Sequence, residues 1–344
     1  LKILITGALG FVGKHLIKFA FNYFKDFNDG KVEIFGLDIS EHKIHNQHNQ
    51  KDNQEKILGK DNIIINNNNK LSFYNIDLRD NDLTNSIIKE IKPNIIFHLA
   101  AQSSVKYSWD NPIETIETNV CGSINLFEAV YKYCPNCKIL SACTAEEYSS
   151  GYCLKEDFAL NEDSKIFPLN PYAISKAALD FFSATYHKAK NLFIFVSRSF
   201  NHIGPGQSET FVASDFAKQI AQIEKKKAEP VINVGNLNVY RDFLDVRDVV
   251  KAYCYIISKG VPGQAYNVCS GKKVKIEDIL NILISLSTYK KIKINVDKNR
   301  LRPIDTFSVY GDNSKLIKHT GWYQEYDLNK SLLDTLNWWR ERSI

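Results

Sequence analysis

Lys2-Ile-Leu-Ile-Thr6-Gly7-Ala-Leu-Gly10-Phe-Val-Gly13 decides the fold of this chain. A short apolar run ends in three glycines spaced three apart. Phe11–Phe24 then sets Val12, Leu16, Phe19, Ala20 and Tyr23 at helical spacing. Glycines between a strand and a helix allow a tight turn and let the backbone approach a pyrophosphate, which rests on the helix N-terminus. A glycine pattern alone is weak; strand before and helix after are the context that gives it meaning.

Outward from that turn, β-rich runs alternate with helical ones. Strands are expected at Val32–Leu37, Leu71–Ile76, Asn94–Ala100, Lys138–Cys143 and Leu192–Ser199, with helices near Asp82–Ile91, Pro112–Cys134 and Pro171–Lys190. Such alternation means βαβ units and a parallel sheet. The fold expected is α/β, a Rossmann-type doubly wound parallel sheet, with a smaller α+β C-terminal substrate domain. The dinucleotide domain is placed at 1–200 and the substrate domain mostly at 201–344, partly interleaved with the first. Residues 45–70 are rich in Asn, Gln, Lys and His and read as an inserted loop.

Composition limits the function classes. The 344 residues are 44% hydrophobic and 24% charged, with a net charge of +5. That mild, interspersed balance gives no reason to expect nucleic acid and suits an anionic small substrate. No apolar run reaches the length of a membrane span, and no leader precedes the first strand, so a cytoplasmic location is expected. Seven cysteines, an odd number, read as reduced. Cys134-Pro-Asn-Cys137 has CxxC spacing but falls between a helix and a strand, and reads as a plain turn. His45 and His48 lack a surrounding ligand framework, so no metal is expected.

Asp38 ends the second strand, where a carboxylate accepts the ribose hydroxyls of NAD and repels the extra phosphate of NADP. The cofactor expected is NAD or NADP, with NAD preferred. Asp77-Leu78 and His98-Leu99-Ala100-Ala101-Gln102 also lie at strand C-termini, the ligand edge of such sheets. Tyr172-Ala-Ile-Ser-Lys176 puts a phenol and an ammonium on one helical face, one turn apart. The cation stabilises the phenolate, so the tyrosine can pass a proton near neutral pH. Thr144, at the end of a strand, supplies a hydroxyl to hold the substrate oxygen. Glu146 beside it is either an additional acid or base or part of a solvated turn.

These residues together resemble the extended short-chain dehydrogenase/reductases that modify nucleotide-sugars. The resemblance rests on GALGFVG, HLAAQSSV at 98–105, TAEEY at 144–148, PYAISK at 171–176, RSFNHIGPGQ at 198–207, RDFLDVRDVV at 241–250, YNVCSG at 266–271 and RLRPID at 300–305. Within the family the likeness is to GDP-4-keto-6-deoxy-mannose reductases first and GDP-mannose 4,6-dehydratases next. It departs at Ser149, where the family has Gly, and at the Asn-rich insertion.

The resemblance implies roles. Gly7, Gly10, Phe11, Val12, Gly13, Asp38, Asp77, Leu78, Leu99, Ala100 and Ala101 contact the dinucleotide, as do Tyr172 and Lys176. Gln102, Ser103, Asn201, Phe211, Val212, Arg241 and Arg302 hold the nucleotide-sugar. It also implies a GDP-linked substrate, a homodimer built on the two long helices, and hydride transfer at sugar carbon 4. Reductase, 4,6-dehydratase and 4-epimerase share these parts. A silent nucleotide-binding scaffold is the reading from another class, and an intact Thr-Tyr-Lys set argues against it.

Overall fold

The computed structural model describes residues 1–25, 31–39, 61–64, 70–148, 158–300 and 307–342. The chain divides into two compact units, and the division is not a single cut. The first holds Leu1–Cys143, Leu169–Ser197 and Tyr253–Ala265; the second holds Thr144–Pro168, Arg198–Ala252 and Tyr266–Ile344.

In chain order the first half gives β1 (Lys2–Thr6), α1 (Phe11–Phe24), β2 (Glu33–Asp38), β3 (Asp61–Ile64), β4 (Lys70–Asn75), α2 (Asn81–Ile91) and β5 (Ile95–His98). It continues with α3 (Val105–Asp110), α4 (Pro112–Ile116), α5 (Gly122–Tyr133), β6 (Lys138–Thr144), α6 (Pro171–Lys190) and β7 (Phe193–Ser199). After these come β8 (Asn201–Ile203), α7 (Val212–Glu224), β9 (Val231–Val234), β10 (Tyr240–Arg241), β11 (Phe243–Asp245), α8 (Val246–Lys259) and β12 (Ala265–Val268). The chain ends with β13 (Val274–Lys275), α9 (Ile276–Leu286), β14 (Lys293–Val296), β15 (Ser308–Val309), α10 (Ser314–Thr320) and α11 (Leu328–Arg342).

The main sheet runs β12-β7-β6-β5-β1-β2-β4-β3. Strand order reverses at β1, which pairs parallel with β2 on one side and β5 on the other. That switch point opens a crevice at the strands' C-terminal ends, where Thr6, Asp38 and His98 lie. One face of the sheet packs Ile87, Ile88, Leu126, Phe127, Val130 and Leu179 from α2, α5 and α6 into a continuous core. The other takes α1, whose Phe24 ring stands 6.4 Å from that of Phe97.

Two expectations need correction. The Asn-rich stretch is not loop throughout: Asp61–Ile64 forms β3, antiparallel to β4 in register Asp61↔Phe73. The β-branched Ile63-Ile64 run has a sheet edge to add to, and polar composition concealed it. His45 and His48 lie outside the described residues. Second, Pro112–Cys134 is not one regular helix. Glu117–Cys121 forms a π-helical turn between α4 and α5, a distortion that frequently marks functional positions.

The second unit has its own core, with α7, α9 and α11 packing Ile220, Leu280, Leu332 and Leu336 against Ile232 and Val234 of β9. Its small sheets are β13-β10-β15, β11-β8 and β14-β9. Among the described residues no helix is long and apolar enough to cross a membrane.

Candidate active site

The glycine turn is tightly built. Gly7 has φ +68°, and a Cβ there would lie 2.9 Å from the Ala100 nitrogen. A Cβ on Gly13 would meet the Gly7 carbonyl oxygen at 2.4 Å and that of Ala8 at 2.6 Å. Gly7 and Ala8 donate to the Leu37 carbonyl at 2.8 and 3.2 Å. Gly10 caps α1 without a side-chain bond, and the first turn, with Phe11, Val12 and Gly13, carries no acidic residue. Its leading amides and the helix dipole therefore favour an anion. Asp38 does more than the sequence suggested: its carboxylate accepts from the Leu9 amide and the Ile39 amide, each at 2.9 Å. It thus braces the glycine turn. A carboxylate oxygen accepts more than one bond, so bracing and ribose binding are compatible.

Asp77 is held by Arg79, whose Nη2 reaches it at 2.6 Å, and this guanidinium lowers the carboxyl below its usual range. Leu78 is buried, and its carbonyl accepts from Asn125 at 2.9 Å. The Leu99 and Ala100 amides donate to the Thr6 hydroxyl at 3.2 and 3.1 Å. Ala101 is half-buried and Ser103 exposed.

From Thr6 a buried polar chain crosses the unit. Its hydroxyl meets His98 Nδ1 at 2.8 Å, and His98 Nε2 meets the Ser123 hydroxyl at 2.7 Å. Ser123 donates to the Asn119 carbonyl. The Asn119 side chain, in the π-helical turn, accepts from the Gln102 amide at 2.7 Å and donates to the Gln102 carbonyl and to Ser175 Oγ. Ser175 donates to the Tyr172 carbonyl at 2.7 Å. Burial, with Lys176 adding, lowers His98 to about 3, so the imidazole is neutral. Lys176 is itself buried and donates from Nζ to the Ala142 carbonyl of β6 at 2.8 Å. Tyr172 stands one turn earlier, in the first turn of α6, with Asn170 capping the helix through the Ala173 amide.

In the second unit Thr144 heads a capping box: its hydroxyl accepts from the Glu146 amide, and its own amide donates to Glu147. Glu147 is fully buried and 3.8 Å from Arg198. Arg198 in turn donates to the Tyr148 hydroxyl, which donates to Asn267. Glu147 is thus enclosed by its neighbours, whereas Glu146 beside it is half-buried. Asn201 is exposed, with its amide group donating to the Asp242 carbonyl at 3.1 Å. Phe211 is exposed just before Val212 opens α7. Arg241 lies on β10, donating to the Tyr240 carbonyl. Arg302 lies outside the described residues. Asp242, unremarked in the sequence, is buried and gathers the Ser270 and Gly271 amides at 2.7 and 2.9 Å.

A family model described as GDP-mannose 4,6 dehydratase matches residues 4–335. The chain belongs to the GDP-mannose 4,6 dehydratase family. It is 32% identical over 269 residues to the GDP-6-deoxy-D-mannose reductase of Pseudomonas aeruginosa, covering 78% of this chain and 87% of that protein. It is 25% identical over 270 residues to GDP-mannose 4,6 dehydratase 2 of Caenorhabditis elegans, covering 73% of this chain and 69% of that one. Among solved structures, RMD from Pseudomonas aeruginosa complexed with NADPH superposes with a TM-score of 0.78 at 28% identity, over 99% of each chain. The UDP-glucose 4-epimerase of Thermotoga maritima gives 0.81 at 24% identity, again over 99% of each, and shows the shared fold. As a member of this family the chain is an NAD(P)-dependent enzyme.

Sequence reasoning missed Asn119, Ser123 and Ser175, the polar links of this family member's first unit. The signal was present only as an Asn inside an otherwise helical run, which is ordinary without the π-helical turn. Asn119→Ala leaves the Gln102 amide and carbonyl and the Ser175 hydroxyl short of partners. At about 1–3 kcal/mol per buried group, the melt is expected to fall, and kcat to drop more than KM rises. A variant with normal kcat would show that Asn119 does not position Tyr172.

Proposed function

We propose that this enzyme reduces the 4-keto group of a GDP-linked 4-keto-6-deoxy-hexose. The observation that carries the reading is the 32% identity, over most of both chains, to a protein named GDP-6-deoxy-D-mannose reductase. A glycine turn with no room for a Cβ at Gly7 or Gly13, closed by a helix start bare of acids, fits a dinucleotide pyrophosphate. Asp38 favours NAD over NADP at the ribose. The bound nicotinamide supplies the hydride to the keto carbon.

The chain's own residues supply the rest. The Tyr172 hydroxyl gives its proton to the sugar oxygen. The Lys176 ammonium, braced by the Ala142 carbonyl, stabilises the phenolate left behind. The Thr144 hydroxyl, which accepts from the Glu146 amide, is assigned to hold the substrate oxygen. Asn201, Phe211, Val212, Gln102 and Ser103 are assigned to the nucleotide-sugar, and Arg241 and Arg302 to its diphosphate, where forked guanidinium donors suit paired phosphate oxygens.

A second reading is the 4,6-dehydratase, favoured by the matching family model and by Glu146 beside Thr144. Stoichiometry separates them. With the keto sugar and NADH or NADPH, one reduced cofactor is expected to be consumed per sugar. Loss of water from GDP-mannose without net cofactor change would establish the dehydratase instead.

The reading includes a homodimer. Ile174, Phe181 and Phe182 stand exposed at helical spacing along α6, and Ile113 of α4 is 74% exposed. Sedimentation is expected to give twice the chain mass, and Phe181→Glu to give the monomer; a monomeric parent would remove the dimer.

A further inference from the structure

Cys134 closes α5 and Cys137 precedes β6, with Pro135 and Asn136 between them. The sequence reads this as a plain turn, which describes the backbone but not the side chains. The Cys137 amide donates to the Cys134 carbonyl at 2.9 Å, and a turn closed this way holds its end Cα atoms within about 7 Å. Disulfides span Cα separations of about 4.4–6.8 Å, so the backbone already sets the pair at bridging range. The Cys137 thiol itself donates to the Lys138 carbonyl at 3.6 Å.

The pair is asymmetric. Cys137 is buried at 2% exposure, and burial pushes its thiol well up. Cys134 is half-buried, and the neighbouring Cys137 thiol, with the Lys92 charge, outweighs that burial and holds its thiol below the usual value. Beside the turn lies a shallow hollow of about 320 Å³, lined by Lys92, Pro93, Asn94 and Tyr133 with the turn itself. Its one charged side chain is a cation.

We propose that Cys134 and Cys137 form a redox dithiol that exchanges with small disulfides whose halves carry carboxylates. The Cys134 thiolate attacks one sulfur, forms a mixed disulfide and expels one thiolate, which takes up a proton. The Cys137 sulfur then loses its proton to solvent and attacks the Cys134 sulfur, expelling the second thiolate. Two protein thiols are oxidised to one disulfide, and one small disulfide is reduced to two thiols. The hollow receives the small half, with Lys92 facing its carboxylate. Because β1 and β6 belong to one parallel sheet, the pair sits at the edge opposite the glycine turn. This activity is therefore separate from the nicotinamide chemistry.

The test uses the full chain and glutathione disulfide, with remaining thiols alkylated and peptides mapped by mass. Trypsin releases 133–138 as one peptide holding both cysteines. That peptide is expected to lose two hydrogens and escape alkylation, about tenfold faster than exposed Cys121 takes up glutathione. Cys137→Ser, or Cys137→Ala if the serine variant fails to fold, should trap glutathione on Cys134. A doubly alkylated 133–138 peptide from glutathione-treated parent protein overturns the proposal. So does glutathione lodged elsewhere in a folded Cys137 variant while Cys134 stays free.

Discussion

Tyr172→Phe is expected to lower kcat by about 10²–10⁴-fold, the usual contribution of a positioned proton donor, with a much smaller effect on cofactor affinity. The substitution removes one oxygen. The bond tying Tyr172 to Ser175 runs through the Tyr172 backbone carbonyl, which phenylalanine keeps. The helix start is held by Asn170 and the Ala173 amide, which it also keeps. Lys176 retains its bond to the Ala142 carbonyl. With the helix start and Lys176 kept in place, the loss should fall on the chemical step. Single-turnover kinetics with the keto sugar and reduced cofactor checks this. Parent-like turnover would remove Tyr172 as the donor and send the proton to Glu146 or to water.

The same residues show what a sequence can and cannot reveal. The glycine turn and α6 were legible because each needs only local chemistry: a strand, a break and an amphipathic run in one case, a proline and a cap ahead of a helix in the other. Asp38 was legible as a carboxylate at a strand end. Its bond to the Leu9 amide was not, because that pairing joins residues 29 apart in the chain. Asn119 was illegible for the same reason, since its partners Gln102 and Ser175 lie 17 and 56 residues away. Glu146 and Glu147 are adjacent and chemically alike. Only folding separates a fully buried cap from a half-buried side chain. Strand β3 was hidden by composition, because an Asn-rich setting conceals a short β-branched segment.

Gly13→Ala tests the cofactor turn by a route independent of the chemistry. Intrinsic helix preference favours alanine by about 1 kcal/mol, so helix propensity alone predicts a more stable protein. Sterics reverse the sign. The new methyl would stand 2.4 Å from the Gly7 oxygen, 2.6 Å from the Ala8 oxygen and 2.8 Å from the Ala8 carbonyl carbon. All three are backbone atoms, so no side chain can swing aside. The turn cannot yield without disturbing the bonds from Gly7 and Ala8 to Leu37, or α1 must move outward. Overpacking of this kind costs about 1–3 kcal/mol, and a lower melting temperature is the expected readout.

The larger effect falls on the ligand. If the displaced helix start loses two charge-assisted bonds to the pyrophosphate, at about 1.5–3 kcal/mol each, cofactor affinity drops by about 10²–10⁴-fold. Gly10→Ala provides the scale, because its Cβ would meet only the Gly7 oxygen, at 3.2 Å, and its loss should be smaller. Calorimetric titration with NADH and NADPH measures both variants. Parent-like affinity in a folded Gly13→Ala protein would mean that the cofactor's phosphates lie elsewhere.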